Sequence, residues 1–207
     1  MSCKRVLYNE FSNKHKLKVV DYLNKSYGWE PVFMAGHQPT QEVTEWKSKN
    51  NYSCIIKDSM DLRKGQFDYD QIGRPRPIDA DIVNSLSKYE LNYLGILPDP
   101  TGWNYGYDER KKFYFEILKY WNTVIHNTKP DILVSFVQPH TVACYSLYLL
   151  CKHYYKIDVV FLDPVSLLDS YYHMVGVSLD ELYAPILKYY NSKKYCRGFA
   201  RKAQFRQ

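Results

Sequence analysis

Residues 129–164 read KPDILVSFVQPHTVACYSLYLLCKHYYKIDVVFLDP, and this stretch decides the fold. Ile132 to Val137 is an almost unbroken apolar run. Gln138-Pro139-His140 interrupts it, a helix-length segment follows, and Ile157 to Leu162 forms a second apolar run. The order is strand, helix, strand. Parallel strands need such crossovers, and helices on both faces of their sheet make the strands apolar throughout rather than alternating. Ligands of such sheets collect at the carboxyl ends of the strands. Gln138 and His140 therefore stand where chemistry is expected.

The same alternation continues towards the N-terminus. Arg5 to Tyr8 reads as a strand. Ser12 reads as the N-cap of a helix over 13–26, where Leu17, Val20 and Leu23 recur at helical spacing and Gly28 ends the element. Pro31 to Ala35 is a second strand. Thr40 caps a short helix carrying Val43 and Trp46, and Ser53 to Ile56 is a third strand. Two longer helices are expected further on. One covers 79–95 with Ile82, Leu86, Tyr89 and Tyr93 on one face; the other covers 109–127, capped by Asp108. The fold class is α/β, a Rossmann-like doubly wound, mostly parallel sheet flanked by helices. One domain is expected over 1–190, with a long mobile loop at 58–77. A segment starting at Pro164 then leads to helices near 178–190 and 192–204, the second within a basic amphipathic tail over 191–207.

Charge is informative by its location. Six of the 28 basic residues follow Ser192 with no acid among them, so residues 1–192 are balanced, 22 against 22. The tail thus carries the whole +6 and offers a peripheral contact for anionic lipid or a protein partner. No nucleic-acid motif accompanies it. The five cysteines are scattered and form no CxxC pair, which argues against a disulfide framework or a zinc cluster and for a reducing cytoplasm. The N-terminus lacks the apolar run and cleavage site of a secretory signal.

The loop after the first strand, Asn9-Glu10-Phe11, enters a helix N-terminus that favours anions. It has no glycine, and neither GxGxxG nor GxxxxGK[ST] occurs, so no dinucleotide cofactor is expected. His140, at a helix start where the dipole favours neutral imidazole, is the leading candidate base. His37 follows the second strand, in Gly36-His37-Gln38-Pro39, and convergence of the two rings would be more telling than either alone. His15, in the first turns of helix one, is a further candidate, with Asn9, Glu10 and Gln138, for substrate contact. Asp68-Tyr69-Asp70 and Asp79-Ala80-Asp81 have metal-holding spacing, but neither follows an apolar strand and Asp79 reads better as a helix cap. Arg63, Lys64, Arg74 and Arg76 read as a solvated segment or a phosphate lid.

Several short motifs occur in one order: Ser87-Lys88-Tyr89-Glu90, Tyr120-Trp121, Lys129-Pro130-Asp131 before a strand, Pro139-His140 after it, and Leu147-Tyr148 in the next helix. Over residues 5–165 this order resembles the N-terminal region of bacterial and phage capsular or surface-polysaccharide biosynthesis proteins, which look like two-Rossmann-domain (GT-B) glycosyltransferases. The resemblance implies the acceptor-side half of such an enzyme and carries over to Pro139 and His140 only. With the sheet-edge placement, His140 or His37 is expected to act as base on a glycan or small-molecule acceptor, and the basic tail adds the expectation of a cytoplasmic place at the inner membrane face. A nucleotide-sugar donor would be held by a second domain or a protein partner. A non-catalytic binding or scaffold module, or another nucleotide- or small-molecule-binding α/β domain, is the alternative expectation.

Overall fold

The computed structural model describes residues 3–11, 14–37, 41–96, 106–165 and 170–175. The expected helices near 178–190 and 192–204, the basic tail and the Ser12 and Thr40 caps lie outside these residues. Strands β1 (Lys4–Asn9), β2 (Trp29–Gly36), β3 (Ile55–Asp58), β4 (Ile132–Ser135), β5 (Asp158–Val165) and β6 (Ser170–Val175) form one sheet in the order β3-β2-β1-β4-β5-β6. The first five are parallel, as the apolar runs require, and β6 is antiparallel to β5.

The helices are α1 (Lys14–Tyr27), α2 (Gln41–Lys49), α3 (Ser59–Arg63), α4 (Ala80–Leu86), α5 (Glu90–Ile96), α6 (Tyr107–Thr128) and α7 (Val142–Leu149). Strand alternation sorts them into two layers. Val6, Tyr8, Met34, Ile132 and Val134 pack with Leu17 and Val20 of α1 and Val43 of α2. Leu7, Phe33, Ala35, Leu133 and Phe161 face the other way, against α6 and α7. Trp121 anchors that second layer: it is fully buried, edge-on to Phe33, and its indole N–H donates to the Ala143 carbonyl at 2.9 Å.

The Lys129-Pro130-Asp131 turn connects the layers. Lys129 takes a left-handed conformation (φ 43°) to close α6. Asp131 then grips the start of β1: its N–H donates to the Arg5 carbonyl, and its carboxylate accepts from the Arg5 N–H, both at 2.7 Å. That clasp sets the register of β4 on β1.

Four details depart from the sequence reading. The helix expected over 79–95 is broken by a 3-10 turn at Ser87–Tyr89, where Ser85 and Ser87 hydroxyls compete for the Ile82 and Asn84 carbonyls. Helix α6 starts earlier than Asp108 predicts; the Glu109 carboxylate accepts from the Gly106 N–H at 2.8 Å and fixes the start there. Strand β6 was not expected at all, and Pro164, read as opening a new segment, lies inside β5. The 58–77 connection carries α3, buries Leu62 and Ile72, and is tied to α6. There the Arg76 N–H donates to Thr123 Oγ1 and the Asn122 amide donates to the Pro77 carbonyl.

His153 closes the turn after α7. It stacks on Tyr89 with ring centroids 4.3 Å apart, and its Nδ1 shares a hydrogen bond with the Tyr89 hydroxyl at 3.1 Å. Burial, helped by Lys88, Lys156 and Lys152, holds its imidazole down from 6.5 to about 4. The unfolded chain therefore binds this proton more readily than the folded one across that window. Stability against urea should fall as pH drops from about 6.5 to about 4, and His153→Gln should flatten that slope. An unchanged slope in the variant would assign the pH dependence elsewhere.

Candidate functional site

Strand order reverses at β1, whose neighbours are β2 and β4. After β1 the chain leaves towards α1 in one layer, and after β4 it leaves towards α7 in the other. The two loops part, and the crevice between them is where open α/β sheets bind ligands.

A buried polar cluster forms the floor of this crevice. Asn9 and Ser135 are register partners at the ends of β1 and β4, and the Asn9 amide donates to Ser135 Oγ at 3.0 Å. The Ser135 hydroxyl in turn donates to the Val137 carbonyl at 2.7 Å. Glu10 follows in a left-handed conformation (φ 57°), rare for a residue with a side chain. It is clamped three ways. Its carbonyl accepts from Lys16 Nζ at 2.6 Å, and its carboxylate accepts from Arg63 Nη2 at 3.1 Å and from the Cys144 thiol at 3.4 Å.

Burial pushes the Cys144 thiol up to about 12, and the Glu10 carboxylate adds to the effect. Cys144 is thus a proton donor to Glu10 and no thiolate nucleophile at neutral pH. Burial also lowers the Lys16 ammonium pKa, against the opposing pull of Glu10, and its Nζ lies 5.3 Å from the Phe136 ring centroid.

His140 stands in the loop after β4, exposed, two residues before α7 begins. Thr141 is the N-cap of α7: its hydroxyl accepts from the Cys144 N–H. Pro139 accordingly precedes the helix. His140 Nδ1 lies 2.8 Å from the Gln138 carbonyl. A carbonyl only accepts, so Nδ1 carries the proton, and in the neutral ring Nε2 is left as the acceptor. Gln138 is half-buried and has a further polar interaction of its own.

His37 is exposed just beyond β2, at the same edge of the sheet. β2 and β4 each neighbour β1, so their ends stand about 10 Å apart. Among the described residues the hydrogen bond of His140 runs to the Gln138 carbonyl and not to His37. His15 lies in the first turn of α1, and its side chain is outside the described residues. Asn9 and Glu10, expected to touch substrate, are instead bonded to Ser135, Arg63 and Cys144.

Of the four cations in the 58–77 segment, Arg63 reaches Glu10 while Arg76 turns to His126 of α6, so these two do not gather at one phosphate. Asp68 pairs with Lys57, and Asp79 caps α4 through the Ile82 N–H, as its position suggested. Among the described residues no three His, Cys, Asp or Glu side chains group to hold a metal. Among the same residues no helix is long and apolar enough to cross a membrane. Sequence reading missed Lys16, Ser135 and Cys144. Their one visible signal is polarity at the end of an apolar strand or at the start of a helix.

No protein-family model matches this sequence, and no curated protein matches it.

Two substitutions probe the cluster. A Cβ on Gly36 would stand 1.6 Å from the Phe11 carbonyl oxygen, because the β1–α1 loop crosses directly over β2. Gly36→Ala should therefore cost about 3 kcal/mol in chemical denaturation, at the upper end for overpacking. A loss under about 0.5 kcal/mol, the range of neutral surface changes, would show that the loop does not cross there. Arg63→Met leaves the Glu10 carboxylate buried without its cation and should cost about 3 kcal/mol. In a double-mutant cycle with Glu10→Gln, the two should couple by about 1–3 kcal/mol, and additive losses would separate them.

Proposed function

We propose that this domain binds the acceptor in a glycosyl transfer of surface-polysaccharide synthesis, with His140 as the general base. The observation that carries this reading is the bond from His140 Nδ1 to the Gln138 carbonyl, which presents Nε2 as a proton acceptor beside the switch-point crevice. The ordered motifs from Ser87 to Tyr148 and the doubly wound sheet support the same reading.

In this mechanism His140 Nε2 takes the proton of an acceptor hydroxyl as its oxygen attacks the anomeric carbon of a nucleotide sugar. The nucleoside diphosphate leaves with the bonding electron pair. A second domain or a partner holds that donor. The basic tail over 191–207 makes a peripheral contact at the cytoplasmic membrane face, consistent with its charge.

A non-catalytic acceptor-binding module is the second reading. It is favoured by the engagement of Asn9 and Glu10 in internal bonds, which leaves few polar groups to assist a reaction.

Turnover assays with nucleotide sugars, glycan acceptors and the donor-binding partner test both. General-base loss in His140→Gln should lower kcat about 100- to 10,000-fold with the acceptor KM little changed. Turnover by His140→Gln at the native rate would remove the base role. Acceptor binding without turnover in the native complex would favour the module.

A further inference from the structure

Helix α3 borders a second concavity at the same edge of the sheet. At the end of β3 an open cavity of about 360 Å³ is lined by Lys57, Asp58, Asp61, Leu62, Gln66, Phe67 and Asp68. Its floor is apolar: Leu62 is buried, and Phe67 is braced by Tyr120 and Phe113 at ring distances of 5.5 and 6.0 Å. Its wall is polar. Lys57 pairs with Asp68 and holds that carboxyl below its usual range. Asp58 caps α3 through one carboxylate oxygen. Asp61 and Gln66 are exposed. Behind the floor, the fully buried Tyr120 leaves its hydroxyl without a partner among the described residues; burial, with Asp68 adding to it, raises its pKa.

The lining excludes most ligand classes. An anion would meet three carboxylates; a small bare cation would meet those carboxylates but would leave the Gln66 amide unbonded and the Phe67 ring uncovered. A wholly apolar ligand would strip water from the polar wall and return no hydrogen bonds. Hydroxyl groups both donate and accept, which suits a wall that interleaves donors (Lys57, Gln66) with acceptors (Asp58, Asp61, Asp68). A ring with hydroxyls at its edge and C–H groups on its face would cover the half-buried Phe67 while bonding that wall. The volume is at the small end for ligand sites, enough for one or two rings.

We propose that this cavity is a binding site for a neutral sugar ring, separate from the switch-point crevice. It stands on the lining alone and does not depend on the transfer reaction.

The test is saturation-transfer NMR and calorimetry on the full chain with methyl α-glucoside, α-galactoside and α-mannoside, and with inorganic phosphate and putrescine as competitors. At least one glycoside should bind, and neither competitor should displace it. Asp61→Ala and Gln66→Ala should each weaken binding about tenfold, a loss of one wall contact. Both side chains are exposed, so thermal unfolding should be unchanged. Absence of glycoside binding, displacement by putrescine or phosphate, or binding that survives both substitutions overturns the proposal. So does binding lost in His140→Ala but kept in Asp61→Ala, which would put the sugar in the crevice.

Discussion

Parallel pairing of β1 with β4 is the constraint on which the rest depends. Two strands 126 residues apart, joined by the Asn9–Ser135 bond at one end and the Arg5–Asp131 clasp at the other, must run side by side in register. Once they do, the chain has to leave β1 on one face and β4 on the other. The crevice between the departing loops is a consequence of that topology and requires no special motif. The residues that line it come from three separated parts of the chain, which only the sheet brings together.

The polar cluster beneath the crevice illustrates how such a site is held. A left-handed Glu10 and a buried Glu10–Arg63 pair are each unfavourable in isolation. They persist because the surrounding contacts over-determine them: Lys16 on the Glu10 carbonyl, Cys144 and Arg63 on its carboxylate, and Phe11 hydrogen-bonded to β2 beneath a glycine with no room for a Cβ. The protonated Cys144 fits this role, since a thiolate beside Glu10 would add a second buried negative charge. Non-glycine residues in such conformations cluster at functional sites, and here the strained position adjoins the crevice.

The parallel sheet was legible because its signals are local. Apolar runs of strand length, helical spacing between them and the Gly28 stop are all written within a few residues, and Gly28 indeed turns left-handed (φ 67°). The placement of Gln138, His140 and His37 at one rim followed from the same pattern. What was not legible depends on distant partners. Arg63 sits in an aperiodic segment, and only the fold brings it to Glu10, 53 residues away. Asn9 and Glu10 looked like ligand contacts because polar residues at a strand end are ambiguous until their neighbours are known. Strand β6 escaped because its Tyr-rich stretch pairs with β5 although the sequence between them carries no hairpin signature. The early start of α6 was hidden by a cap formed from a glycine N–H and a later glutamate, where sequence preference points to Asp108.

Helix α3 emerges as the shared wall of two concavities, with Arg63 turned to the crevice and Asp61 and Leu62 to the cavity beside it. The central claim is that ligands enter at the carboxyl ends of the parallel strands, around the β1–β4 switch point. A fragment screen read by backbone amide shifts, using sugars and nucleotide fragments, tests it most directly. The account predicts that shifts concentrate at residues 9–11, 57–68 and 135–141. Shifts concentrated instead at the opposite rim, around residues 28–30 and 129–131, would contradict it.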